Sequence, residues 1–70
     1  MPEFITLTIN GETKRCALGQ TLGGYLADAG MDRERIIAER NGAIVRSEDF
    51  DRHILQEGDT VEFVRFVGGG

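Results

Sequence analysis

The chain has 70 residues, with 12 acidic and 8 basic side chains, a formal net charge of −4 and 40% hydrophobic residues. A chain of this length forms one domain with one core and leaves little volume for a deep cavity, so an enzyme with its own enclosed active site is disfavoured. Its negative charge disfavours binding to nucleic acid or to an anionic membrane surface.

The first predicted element is a β-hairpin. Ile5, Leu7 and Ile9 alternate with Phe4 and two threonines over residues 4–9, which is typical of a half-buried strand. The Asn-Gly dipeptide at positions 10–11 tolerates the positive φ angles of a tight turn. Residues 13–17 should therefore return antiparallel to the first strand.

A helix is predicted over residues 21–29. Leu22, Tyr25, Leu26 and Ala29 recur at helical spacing and give one apolar stripe. Thr21 is a suitable N-cap and a glycine at position 30 ends the segment. A Gly-Gly pair at positions 23–24 weakens the first turn, so the helix depends on packing against the sheet.

The second half of the chain predicts three further strands. Residues 36–40 and 43–45 flank another Asn-Gly turn, and residues 60–67 form the last strand. Residues 46–53 are polar apart from Phe50, which predicts a surface loop that this phenylalanine pins to the core. Residues 54–55 are a brief extended piece. In the last strand Val61 and Phe63 share one face, and Glu62, Val64 and Phe66 share the other.

These elements predict an α+β fold in which a mixed sheet of four to five strands carries one main helix across one face. The last strand should lie beside the first, inside the sheet, because these two strands have the strongest apolar patterns. This is the ubiquitin-like β-grasp arrangement. We expect one domain over residues 1–67, followed by a flexible glycine tail over residues 68–70.

The glycine tail is the candidate site. Gly68, Gly69 and Gly70 have no Cβ atom and fit a channel that is too narrow for other residues. The α-carboxylate of Gly70 has an ordinary pKa of about 3.5 and is a poor electrophile at neutral pH. Adenylation by ATP would convert it into a mixed anhydride that a sulfur or nitrogen nucleophile attacks. The alternative is a frayed end without function.

The whole chain resembles the sulfur carrier family of thiamine biosynthesis, ThiS. The resemblance is carried by residues 9–12, 20–22, 39–42, 45–47 and 57–70. The most specific of these segments are Glu-Arg-Asn-Gly at 39–42 and the Gly-Asp-Thr-Val-Glu run at 58–62. The Gly-Gly pair at 23–24 departs from the family, whose members usually carry better helix formers there.

The resemblance implies that the chain is a recycled co-substrate. An E1-like adenylyltransferase would adenylate the Gly70 carboxylate, and sulfur from a cysteine desulfurase would replace one oxygen to give a thiocarboxylate. The thiocarboxylate would then donate sulfur to the intermediate from which thiazole synthase builds the thiamine thiazole ring. The chain itself would bind no cofactor, and ATP would be consumed by the activating partner.

The resemblance also implies roles for the residues around the tail. Gly69 and Gly70 would enter the partner's channel, with Val67 and Gly68 as the hinge between tail and sheet. Val64 and Phe66 would form an apolar docking patch, with Arg65 near the exit; the alternative is that the segment 46–53 buries these two side chains. Independently of the resemblance, complementary charge speeds encounter, so Glu57, Asp59 and Glu62 near the last strand are candidates to meet basic residues on a partner; the alternative is that they are ordinary solvated acids.

Three other functions stay open. The same thiocarboxylate chemistry would serve the small subunit of molybdopterin synthase, or a carrier for tRNA thiolation or cysteine synthesis. A ubiquitin-like modifier would instead form an isopeptide bond from Gly70 to a target lysine. A plain interaction domain would use the sheet face and keep its partners when Gly69 and Gly70 are deleted.

The single cysteine and the single histidine disfavour a disulfide bond and a metal site. Cys16 is the only cysteine, so no intramolecular disulfide forms; we expect a structural residue, the alternative being a thiol whose pKa Lys14 and Arg15 lower. His53, the only histidine, is expected in a solvated loop without a metal site. The acidic N-terminus and the lack of a long apolar run predict a cytoplasmic protein. The acidic surface and modest apolar content predict a monomer when the protein is free.

Overall fold

The computed structural model describes residues 3–66, and it shows one five-stranded sheet with one α-helix across one face. The helix and strands are β1 Phe4–Ile9, β2 Glu12–Ala17, α1 Leu22–Asp28, β3 Ile36–Arg40, β4 Ala43–Val45 and β5 Thr60–Arg65. Two 3₁₀ helices, Arg33–Arg35 and Ser47–Arg52, complete the described part. The predicted α+β class is confirmed, and the strands lie within about two residues of their predicted bounds; of the strand predicted over 60–67, Thr60–Arg65 is observed and residue 67 lies outside the described residues.

The sheet is mixed, and its strand order is β2-β1-β5-β3-β4. Strand β5 runs parallel to β1 and antiparallel to β3, and the two hairpins β1–β2 and β3–β4 form the outer parts. The last strand therefore lies in the centre beside the first, as the sequence predicts. This order, with one helix on one face, is the β-grasp fold.

Both predicted Asn-Gly turns are present. Asn10 and Asn41 have φ angles of 50° and 52°, and the glycines that follow them have φ angles of 80° and 87°. Asparagine tolerates this left-handed region better than most residues, and glycine adopts it without steric cost. The two turns fix the registers of the hairpins, in which Ile9 pairs with Glu12 and Arg40 pairs with Ala43.

Helix α1 begins and ends at the predicted signals. The Thr21 hydroxyl oxygen accepts a hydrogen bond from the Gly24 N–H at 2.9 Å, as an N-cap does. Gly30, just after the helix, has a φ angle of 73°. Gly23 is buried, and a Cβ atom at this position would collide with the Asp51 carboxylate. The glycine therefore lets the second 3₁₀ helix approach α1 closely.

The core lies between the sheet and α1. Every strand contributes side chains to it, and so do α1, the second 3₁₀ helix and the segment between that helix and β5. The core side chains are Ile5, Leu7, Ile9, Cys16, Leu22, Leu26, Ile36, Ala38, Val45, Phe50, Leu55, Val61 and Phe63. Tyr25 stacks on Phe63 with ring centroids 6.0 Å apart and extends the core at its edge.

The segment 46–53 differs from its prediction as a loop. Residues 47–52 form a 3₁₀ helix, although Phe50 is fully buried and pins the segment to the core as predicted. The first 3₁₀ helix, Arg33–Arg35, was not predicted either. 3₁₀ helices of three and six residues are too short to produce a periodic apolar pattern, so neither element is visible in the sequence.

Candidate functional site

The candidate site begins where β5 ends. Strand β5 occupies the middle of the sheet and stops at Arg65, and Phe66 still donates its N–H to the carbonyl of Arg35 at 3.0 Å. Val67, Gly68, Gly69 and Gly70 lie outside the described residues. The structure therefore fixes the point and direction from which the chain continues into these four residues.

The start of β5 is held by a polar cluster around Asp59, which is almost fully buried. Its Oδ2 accepts hydrogen bonds from Arg40 Nε at 2.9 Å and from the Gln56 N–H at 2.8 Å, and its Oδ1 accepts from Asn41 Nδ2 at 3.0 Å. Arg40 Nη2 also donates to the carbonyl of Ile54 at 2.9 Å. We call Arg40, Asn41 and Asp59 the β5 clasp.

The clasp joins the two sequence segments that most specifically carry the family resemblance. Arg40 and Asn41 belong to the run 39–42, and Asp59 belongs to the run 58–62. Asn41 has two structural roles. Its backbone forms the β3–β4 turn, and its side-chain Oδ1 accepts a hydrogen bond from the Thr60 N–H at 2.9 Å. The two runs are therefore joined in one hydrogen-bonded cluster at the start of β5.

The electrostatics of the clasp favour an ionised Asp59. Burial alone would raise the pKa of this carboxyl group, since it disfavours the charged form. The hydrogen bonds from Asn41 and from the Gln56 N–H, together with the charge of Arg40, outweigh burial and lower the pKa below its ordinary value. The buried carboxylate is consequently paired and fully hydrogen-bonded.

The expectation that Asp59 meets basic residues on a partner is wrong. Its side chain is 7% exposed and its charge is already paired with Arg40 inside the fold. Glu57 is exposed, and its Oε1 accepts the Thr6 N–H at 2.9 Å. Glu62 is exposed on the face of the sheet opposite α1, directly across from Glu39 in the register of β3 and β5. Of the three acids, Asp59 alone is buried.

Val64 and Phe66 are 57% and 42% exposed, so the alternative that the segment 46–53 buries them is wrong. They lie on the sheet face opposite α1, where Val64 pairs with Ile37 of β3. Ile37 and Ile44 are 44% and 67% exposed and extend this surface. We call Ile37, Ile44, Val64 and Phe66 the open-face patch.

Ile37 and Ile44 were not among the predicted site residues. Alternation along β3 places Ile36 in the core and Ile37 on the open face, and this signal is present in the sequence. Using it requires knowing that β3 is the neighbour of β5, which only the topology shows. Four exposed apolar side chains on one face of a small domain are typical of a binding surface.

Arg65 lies on the other face of the sheet, opposite Ile36 in the register. It lines an open cavity of about 160 Å³ together with Gly30, Met31, Asp32 and Ile36. No carboxylate within residues 3–66 forms an ion pair with its guanidinium group, whereas Asp32 pairs with Arg35. Arg65 is thus an unpaired cation within the described part, close to the point where the chain leaves the sheet.

Cys16 is buried in the core, and desolvation by burial raises the pKa of its thiol. The alternative of a thiol with a lowered pKa is therefore wrong, and the structural role is supported. His53 is half-buried rather than solvated, and its Nδ1 lies 3.1 Å from Arg40 Nη1 at the edge of the clasp. Within residues 3–66 no group of His, Cys, Asp and Glu side chains converges to hold a metal ion.

No helix within the described residues is long and apolar enough to cross a membrane. The surface at the end of β5 combines exposed apolar side chains, an arginine without an ion-pair partner among residues 3–66 and the end of a central strand.

Comparison with known proteins gives a consistent result. The ThiS family model matches residues 7–70. The crystal structure of a thiamine biosynthesis protein, ThiS, from Geobacter metallireducens is similar, with a TM-score of 0.80 and 32% identity over 94% of this chain and 100% of that one. An NMR structure of a thiamine biosynthesis protein from the same organism gives a TM-score of 0.75 and 33% identity over 94% of this chain and 88% of that one.

Two curated relatives are much longer. A thiazole synthase from Magnetococcus marinus is 40% identical over 62 residues, which are 89% of this chain but 19% of that protein. A thiazole synthase from Paramagnetospirillum magneticum is 34% identical over 64 residues, which are 91% of this chain and 20% of that protein. The chain spans about one fifth of the length of the curated relatives it matches.

Proposed function

The chain belongs to the ThiS family of sulfur carriers, and we propose that it carries the sulfur as a thiocarboxylate on Gly70 for formation of the thiamine thiazole. In this proposal an E1-like partner adenylates the Gly70 carboxylate. A persulfide charged by a cysteine desulfurase then attacks the activated carbonyl carbon, AMP leaves, and a thiol reduces the resulting acyl disulfide to release the Gly70 thiocarboxylate. The chain is a co-substrate, and its partners perform the catalysis.

One observation carries the proposal. The family match extends through Gly70, and the strand that leads to the glycines is the central strand of the sheet. The β5 clasp and the pairing with β3 hold this strand along its length, so its direction is fixed by the core. A rigid strand followed by three residues without side chains suits delivery of a backbone carboxylate into a narrow channel.

The open-face patch supplies a docking surface for the partners in this proposal. Val64 and Phe66 lie beside the exit of the tail, and Ile37 and Ile44 continue the apolar surface away from it. Exposed apolar side chains of this kind give affinity when a partner excludes water from them. Val67 and Gly68 would then connect the docked domain to Gly69 and Gly70 inside the channel.

The longer relatives support thiazole synthase as the sulfur-accepting partner. In both, the part that is similar to this chain is one fifth of a protein that is named thiazole synthase. A carrier and its acceptor that occur in one polypeptide act on the same sulfur, and joining them raises their effective concentration. This observation favours thiamine over molybdopterin, tRNA thiolation or cysteine synthesis as the pathway that this carrier serves.

Complementation tests the proposal. A bacterial strain that lacks its own ThiS and requires thiamine should grow without thiamine when it expresses this chain together with its adenylating enzyme and thiazole synthase. The same chain without Gly69 and Gly70 should fold but fail to restore growth. Growth supported by the truncated chain would contradict the proposal and favour a plain interaction domain.

A further inference from the structure

Strand β5 is only partly covered on the side of β1. The two strands pair at Thr8 with Thr60 and at Ile9 with Val61, and β1 then ends at the turn. On its other side β5 pairs with β3 along its whole length, as far as the contact of Arg65 with Ile36. The last residues of β5 therefore extend beyond the β1–β2 hairpin with one edge uncovered by any described strand.

The hydrogen bonds show which backbone groups point towards this edge. The backbone carbonyl of Val61 accepts a hydrogen bond from the Asn10 N–H at 2.9 Å, and Phe63 donates its backbone N–H to Asn10 Oδ1 at 2.7 Å. On the β3 side, the backbone carbonyl of Thr60 accepts a hydrogen bond from the Asn41 N–H at 2.7 Å, and the Phe66 N–H donates to the Arg35 carbonyl at 3.0 Å. Residues 61, 63 and 65 thus face β1, and residues 60, 62, 64 and 66 face β3.

This alternation leaves the Phe63 carbonyl and the Arg65 N–H and carbonyl without a partner among residues 3–66. The Asn10 side chain takes the place of the missing strand for one group only, the Phe63 N–H. Backbone groups in a strand are strong donors and acceptors, and an uncovered edge is a template for another strand.

The outer edges of the sheet are protected against such pairing. Strand β2 carries Glu12, Lys14 and Arg15, and β4 is only three residues long. Charged residues and short length are the usual means of preventing edge pairing. The uncovered edge at Phe63–Arg65 has a single charged residue, Arg65, whose guanidinium group has no ion-pair partner in the described part.

We propose that the edge formed by Phe63, Val64 and Arg65 pairs with an extended segment of thiazole synthase, a proposal that rests on the function proposed above. A carbonyl of that segment would accept the Arg65 N–H, and an N–H of it would donate to the Phe63 carbonyl. An acidic side chain of the segment would meet the Arg65 guanidinium. Main-chain pairing of this type is a common way of recognising an extended chain.

Pairing of this edge with a strand of thiazole synthase would also constrain the residues that follow β5. An added strand beside Arg65 extends the sheet on the side where β1 stops, so β5 is held on both edges up to its last residue. The direction of the following residues is then fixed at the moment when thiazole synthase receives them. The open-face patch supplies apolar contact area, and the strand edge supplies orientation.

Amide hydrogen exchange of the full chain, free and bound to thiazole synthase, tests the proposal. Exchange at the Arg65 amide should slow by about tenfold or more in the complex. The amide of Thr13, on the distant β2, should exchange at the same rate in both states. A complex in which the Arg65 amide exchanges as it does in the free chain would overturn this inference alone. Failure to form any complex would overturn the proposed partner and this inference together.

Two variants separate the backbone from the side chain. Arg65→Pro removes the N–H but leaves the hydrogen bonds between β5 and β3 intact, because the Arg65 N–H does not face β3. Arg65→Ala keeps the N–H and removes the cation. The proline variant should bind thiazole synthase about tenfold more weakly than the alanine variant. Equal affinity of the two variants would overturn the proposal, and the exchange measurement decides the matter if the proline variant fails to fold.

Discussion

Asp59 shows how a buried charge becomes part of a stable fold. Its side chain is 7% exposed and that of Arg40 is 18% exposed, so both charges have lost most of their hydration. Arg40, Asn41 and the Gln56 N–H together satisfy both carboxylate oxygens. A buried ion pair contributes to stability only when its geometry is good and its remaining hydrogen-bonding groups are satisfied, and here they are.

Removing the carboxylate should therefore be costly. Asp59→Ala leaves Arg40 buried without a counter-charge and leaves Asn41 without one of its partners, and we expect the free energy of unfolding to fall by about 3 kcal/mol. Glu48→Ala is the matched control, because Glu48 forms an exposed ion pair with Arg46. It should change stability by less than about 0.5 kcal/mol. Urea denaturation that gives similar values for both variants would contradict the role of the clasp.

The lowered pKa of Asp59 gives a prediction with a definite sign. Because the folded pKa lies below the ordinary value of 3.8, the ionised group stabilises the fold above that pH. The stabilisation is lost as the pH falls from 3.8 through the folded pKa. The difference in unfolding free energy between the wild type and Asp59→Asn should be constant near neutral pH and shrink in that acidic range. A difference that stays constant through the acid titration would contradict this assignment.

For single residues, the sequence predicts the local backbone conformation better than it predicts which side chains contact each other. The turn roles of Asn10 and Asn41 follow from the Asn-Gly dipeptide, which reports a local backbone preference. Whether Asp59 is buried depends on its pairing with Arg40, which is 19 residues away in the sequence, and on the register of the strands. Neither can be read from the residues next to Asp59. The local pattern around Asp59 therefore predicts contact with a partner, although the side chain is buried inside the fold.

The elements differ in how strongly the sequence encodes them. Strands β1 and β5 and the helix have apolar periodicities, whereas β2 and β4 follow from the Asn-Gly turns before them; each element is predicted within about two residues, a normal uncertainty for element boundaries. The helix also contains the Gly-Gly pair that departs from the family. Gly23 has a packing reason, since its surface is in contact with Asp51 of the second 3₁₀ helix, which Arg33 also binds at 3.1 Å.

A double-mutant cycle tests this packing. Gly23→Ala improves helix propensity by about 1 kcal/mol, but in the wild type the new methyl group displaces the Asp51 carboxylate from Arg33. We expect no net gain in the wild type and a gain of about 1 kcal/mol in an Asp51→Ala background. Thermal or urea unfolding of the four proteins gives the coupling.

Asp49→Ala provides the control background for that cycle. Asp49 lies in the same 3₁₀ helix and pairs with Arg52, but it is not among the nearest contacts of Gly23. Gly23→Ala should behave in this background as it does in the wild type. The packing explanation fails if the substitution stabilises all three backgrounds equally.

At the scale of the molecule, the strand order was predictable because the first and last strands carry the strongest apolar patterns. Strands with two to three inward apolar side chains need neighbours on both sides, and β1 and β5 provide them for each other. The open-face patch was only half predicted, since Ile37 and Ile44 reach it through β3 and β4, on the other side of β5. The tail was assigned from its composition and lies outside the described residues.

The open-face patch predicts a surface variant that binds poorly but folds normally. Val64→Glu places a charge in the middle of the patch at a side chain that is 57% exposed, so the core is unaffected. We expect its affinity for thiazole synthase, measured by calorimetry, to fall by about tenfold or more. Thr13→Glu, on the outer strand β2, adds the same charge two strands away from β5 and should bind normally. Equal weakening by both variants would indicate a general charge effect instead of docking.

The central claim is that Gly70 carries the sulfur. It is tested most directly by the intact mass of the chain isolated from cells that contain its adenylating enzyme, its sulfur donor and thiazole synthase. We predict a species heavier by the difference between one sulfur and one oxygen, with the change located at Gly70 by fragmentation. A chain that ends at an unmodified Gly70 carboxylate, in cells that are actively making thiamine, would contradict the claim.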